Sequence, residues 1–108
     1  MSAAKWERGE CRVVTQAEPT RGEQWTAWFS DAAPGLAVTE IPHVTKAAYT
    51  ITHVSTGRAA AQGFDTLADA QKGALIIARL ADWVTVKQPV MIPGLRTRIW
   101  DALDEAGL

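Results

Sequence analysis

Up to Phe64 the apolar positions of this chain recur mainly at every second residue, and after Thr66 they recur at every third or fourth. Period two belongs to strands and period 3.6 to helices, so the chain reads as a sheet followed by helices. "ECRVVTQA" (10–17) has the β-branched content of a strand and runs into the turn-rich "EPTRGE". "QWTAWFS" (24–30) places Trp25, Ala27 and Phe29 on one face and Thr26, Trp28 and Ser30 on the other, and the first set is expected to face the core. Pro34-Gly35 suits the centre of a type II turn, after which "LAVTEI" (36–41) returns as a third strand.

Two further strands lie in "AYTITHVSTGRAAAQGF". A one-residue slip in their pairing moves every side chain to the other face, so the pattern itself selects the register. A three-residue loop, Ser55-Thr56-Gly57, with glycine at positive φ and Val54 opposite Arg58, separates the faces most cleanly. Tyr49, Ile51, His53, Ala59, Ala61 and Gly63 then form an inner face, and Thr50, Thr52, Val54, Arg58, Ala60 and Gln62 an outer one.

Thr66 followed by Asp69 has capping-box spacing and starts a helix expected over 66–84. Ala70, Gly73, Ala74, Ile77, Leu80, Ala81 and Val84 form its buried stripe, with Gly73 permitting close approach to the small Ala59, Ala61 and Gly63. Pro89 and Pro93 break the chain before a second amphipathic helix over 95–106, marked by Leu95, Ile99, Ala102, Leu103 and Ala106. The expected architecture is α+β: one domain over 1–108, with an antiparallel meander of about five strands within residues 10–64, then two helices, the first packed on one sheet face.

Length and composition leave that picture intact. The 108 residues suffice for a core, and 47% apolar with 21% charged residues is ordinary for a globular chain. "MSAAKWERGE" lacks the apolar run of a secretory signal, "ALIIARLA" is too short to span a bilayer, and Cys11 has no second cysteine to pair with. A soluble cytoplasmic protein without membrane contact is expected. Net charge is −1, which disfavours a protein that depends on neutralising many phosphates, although residues 85–100 carry Lys87, Arg96 and Arg98 and no acid.

Chemistry-bearing constellations are scarce. His53, Ser55 and Asp65 come without a nucleophile elbow or oxyanion loop, His43, His53 and Cys11 lack metal-ligand spacing, and no phosphate-cradling glycine loop occurs. Neither catalysis, metal nor cofactor is expected. The outer face is the stronger candidate: Trp28, Thr50, Thr52, Arg58 and Gln62 combine an aromatic, an arginine and hydrogen-bonding groups, the mixture that dominates protein interfaces. Trp6, Trp83 and Trp100 are read as packing residues at element ends. Arg96 and Arg98 at the start of the second helix form a second candidate, an anion site. The reading is a non-catalytic module that engages a protein partner, with nucleic-acid binding through the outer sheet face as the alternative.

The order strand, glycine turn, strand, then "GFDTLADA" opening a helix, over residues 49–82, resembles the small three-stranded domains at the amino ends of some phage integrases. That resemblance implies DNA binding through the sheet and a phage or mobile-element origin, in which the protein-binding module would serve as an accessory or inhibitor protein. The binding face of those domains is basic, whereas Arg58 is the only base on the corresponding face here.

Overall fold

A computed structural model describes residues 4–15, 19–42, 44–87 and 92–108. Five strands, β1 (Glu7–Val13), β2 (Glu23–Phe29), β3 (Leu36–Glu40), β4 (Tyr49–His53) and β5 (Arg58–Phe64), precede two helices, α1 (Leu67–Ile77) and α2 (Leu95–Glu105). Every strand is antiparallel to its neighbour and the order in the sheet is the order in the chain. This is the α+β meander expected from the period of the sequence. Ala33, Pro34, Gly35 and Leu36 make the expected turn: Leu36 N–H donates to the Ala33 carbonyl at 3.2 Å, and Gly35 has φ +83°.

The hairpin register differs from expectation. His53 pairs with Arg58, so the loop has four residues, Val54 to Gly57, although Gly57 does take a positive φ of +73°. Val54 is withdrawn from the ladder because its N–H donates to the Gly35 carbonyl of the neighbouring turn at 3.0 Å. The loop is closed by Gly57 N–H on the His53 carbonyl and by Thr56, whose hydroxyl accepts from Arg58 N–H. Two register shifts follow, leaving Ala60 and Gly63 as the extra residues of β5.

The face assignment of β2 is also reversed. Trp28 pairs with Val38, and Val38 with Ile51, so Trp28 stands on the side that carries the main core. There Leu36, Val38, Ile51, Ala61 and Phe64 meet Ala70, Ala74 and Ile77 of α1 and Leu95, Ile99 and Leu103 of α2. Trp28 packs half-buried against this cluster and sets its ring edge-on to Tyr49 at 6.1 Å. The opposite face carries Cys11, Ala27 and Ala37, with Phe29 against them, beside Thr39, Thr50 and Thr52.

That second face is buried although neither helix covers it; Thr39 and Thr52 are 0% exposed. The sheet curls over it. In a flat sheet β1 and β4 would stand roughly 14 Å apart, three strand spacings, yet Val14 N–H donates to the Gly57 carbonyl at 2.8 Å and the Arg12 guanidinium to the Thr56 carbonyl at 3.4 Å. Small side chains permit the curl, and the buried hydroxyls are satisfied within it. Thr39 donates to the Thr50 carbonyl at 3.0 Å and shares a 2.9 Å bond with the Thr52 hydroxyl, which therefore donates to it.

Helix α1 begins as expected, with the Thr66 hydroxyl accepting from Asp69 N–H at 3.1 Å. It ends seven residues before position 84, and Val84, expected in the buried stripe, is 59% exposed. Gly73 does make a close approach, but to Phe64 and Ile51: an added Cβ would lie 3.1 Å from the Phe64 ring and 3.2 Å from Ile51 Cδ1. Ala59 and Gly63 are exposed instead. Helix α2 closes with Leu108 N–H on the Leu103 carbonyl and Gly107 N–H on the Asp104 carbonyl, the paired bonds of a glycine C-cap.

Candidate functional site: a basic cleft beside the β5 edge

The end of α1 and the start of the cleft share one residue, Trp83. Its indole N–H donates to the Ile77 carbonyl at 2.8 Å, taking a terminal helix acceptor, and it is 1% exposed. Its own carbonyl accepts from His53 Nε2 at 2.7 Å. Gly35 completes the clamp, because a Cβ there would lie 2.5 Å from the Trp83 carbonyl carbon. Asp82 turns the chain immediately afterwards, its carboxylate accepting from Val84 and Thr85 N–H; the Thr85 side chain first, then these backbone bonds, hold its pKa below the usual value.

His53 is buried with both ring nitrogens engaged. Since a carbonyl can only accept, Nε2 carries the proton, and in the neutral ring Nδ1 accepts from the Thr56 hydroxyl at 2.9 Å. This histidine ties the β4–β5 loop to the Trp83 turn; it is a structural link between two elements. Ser55 and Asp65 are exposed and have no hydrogen bond to it.

Beyond this anchored point Lys87, and Ile92, Pro93 and Gly94 leading into α2, line a cleft of about 700 Å³ against β5. One wall is the continuous run Arg58, Ala59, Ala60, Ala61 and Gln62. Consecutive residues of a strand point to opposite faces, so a run of five means that the open edge of the sheet faces the cleft. The other wall supplies Lys87, Arg96, Thr97 and Trp100, the last 42% exposed. Among the described residues three permanent cations line this space and no carboxylate does.

Of the residues singled out in the sequence, the cleft gathers Arg58, Gln62 and Arg96. Thr50 and Thr52 lie buried on the curled face and Trp28 packs over Tyr49, and none of these three lines the cleft with Arg58. Arg98 is exposed on α2 but outside the cleft, as expected two residues from Arg96 on a helix. Lys87, Thr97 and Trp100 were not anticipated in the site. The acid-free segment 85–100 is the signal for Lys87, whereas Trp100, expected to pack, is exposed in the cleft; Trp6, half-buried, and Trp83 do pack.

The cleft offers hydrogen-bond donors, positive charge and one aromatic surface. Among the described residues, no group of three or more His, Cys, Asp or Glu side chains is arranged to hold a metal ion, and no helix is long and apolar enough to cross a membrane. No protein-family model matches the chain, and comparison with curated proteins and with solved structures gives no match.

Proposed function

We propose that the domain is a non-catalytic binding module that takes an acidic segment of a protein partner into the cleft beside β5. The observation that carries this reading is the charge of the lining: Arg58, Lys87 and Arg96 converge with no carboxylate among the described residues to neutralise them. Arg58 and Arg96 suit bidentate pairing with carboxylates, and half-exposed Trp100 supplies an apolar anchor beside them. Ala60 and Gly63, unpaired on β4, interrupt the spacing of the free backbone groups of β5. A strand so interrupted is a poor template for continued pairing, so recognition rests on side chains.

Nucleic acid is the competing partner, because an exposed indole among cations also suits a stacked base. Against it stand a net charge of −1 and, among the described residues, a lining with three cations. Panning a displayed library of random peptides on the domain separates the two. Enrichment of Asp- and Glu-rich sequences, lost in the R58A/R96A variant, supports the reading. Binding of an oligothymidylate in place of such peptides, or no selection at all, overturns it.

A further inference from the structure

The two edges of the sheet differ. β5 is broken by two extra residues, whereas β1 pairs with β2 without interruption from Glu7 to Val13, so its outward backbone groups keep the regular alternation of an antiparallel ladder. Glu7, Arg8, Gly9 and Glu10 are exposed on both faces of the sheet. An exposed, regular edge is a template for another strand.

We infer that the strand it accepts is β1 of a second copy, paired antiparallel about a two-fold axis at Gly9 to give one continuous sheet across the dimer. Such an axis, perpendicular to the sheet, keeps each face on its own side and so pairs only residues of the same face. Four centres are then available. Centring on Arg8 sets Arg8 against itself, and centring on Glu10 sets Glu10 against itself and Arg8 against Arg12. Centring on Cys11 lays Glu7 and Arg8 over Thr15 and Val14 of the other copy, where Val14 N–H already closes on the Gly57 carbonyl. Centring on Gly9 sets Arg8 opposite Glu10 twice and Glu7 opposite Cys11, with no like charges facing. Within β1 the pairing then spans only Glu7 to Cys11 and stops short of Arg12, which keeps its bond to the Thr56 carbonyl, and it places the residue without a side chain on the axis.

Sedimentation of the purified protein at roughly 100 μM, where micromolar homodimers are populated, tests this. The native chain should sediment as a dimer. R8E and E10R each set two like-charge pairs across the junction and should raise the dissociation constant about tenfold or more, and R8E/E10R, which restores both pairs, should return it to near the native value. Because these side chains are exposed, circular dichroism should show all three variants folded. A monomeric native chain, or a dimer indifferent to the single reversals, overturns the inference.

Discussion

The two faces of the sheet are both buried, by different means. On the helix side large apolar side chains, Leu36, Val38, Ile51 and Phe64, are covered by α1 and α2, and the glycines Gly35 and Gly73 allow the covering segments to come close. On the curled side the sheet covers itself, with Cys11, Ala27, Ala37 and three threonines at a spacing too tight for larger groups. The first face gains from apolar burial and packing, the second from satisfied hydrogen bonds and close backbone approach. A threonine on a strand is therefore no sign of a wet face when a neighbouring strand offers it a partner.

The contrast fails most visibly if the helix side tolerates change. Gly35→Ala drives a methyl into the Trp83 carbonyl and strains a φ of +83°. It should cost about 4 kcal/mol or more, at the exceptional end for one substitution, read as a fall in the urea midpoint. Ile51→Ala, deep in the same cluster, should cost about 3 kcal/mol by cavity formation. A loss below about 1 kcal/mol would mean that α1 is not closely packed on the sheet.

On the curled side the effects should be smaller and coupled. Thr39→Val removes the acceptor for the Thr52 hydroxyl and should cost about 1–2 kcal/mol. The double variant T39V/T52V replaces both partners by groups of the same shape and should be more stable than the summed single effects imply, in a double-mutant cycle by urea denaturation. Additive losses would show that the threonines do not act as a pair. The mildest probe is chemical: burial pushes the Cys11 thiol pKa up, and the side chain is 4% exposed. A thiol reagent at mildly alkaline pH should label it only as the domain unfolds, and rapid labelling of the native protein would mean that the curled face is open.

Turn and cap chemistry makes much of this fold legible in the sequence. Pro34-Gly35 and Thr66 act locally, through a fixed φ, a positive φ and one side-chain oxygen, so their residue types suffice. The misread features are set from a distance. Helix α1 stops without Gly or Pro: the Ile76 and Ile77 carbonyls accept from Arg79 and Leu80 N–H in tighter turns, and the Trp83 indole, six residues on, also takes the Ile77 carbonyl. The hairpin loop gains a residue because Val54 is bonded to Gly35, and Trp28 changed sides because alternation does not name the core when both faces are buried. β1 starts at Glu7, earlier than its β-branched residues suggest, because pairing with Phe29 extends it. For the cleft the residue types were legible in Arg58, Gln62 and Arg96, but their meeting depends on α2 packing into the main core through Leu95, Ile99 and Leu103, a contact set from a distance.

That strand order repeats chain order has a kinetic consequence. Each strand can add to the one before it as a hairpin, so most of the sheet can assemble from short-range contacts, the regime associated with fast folding. The exception is the junction between the end of β1 and the β4–β5 loop, where Arg12 and Thr56 are separated by 44 residues in sequence. Closing it requires the intervening strands to be in place. Substitutions at Gly57 should accordingly speed unfolding while leaving the folding rate almost unchanged, marking the curl of the sheet as a late event.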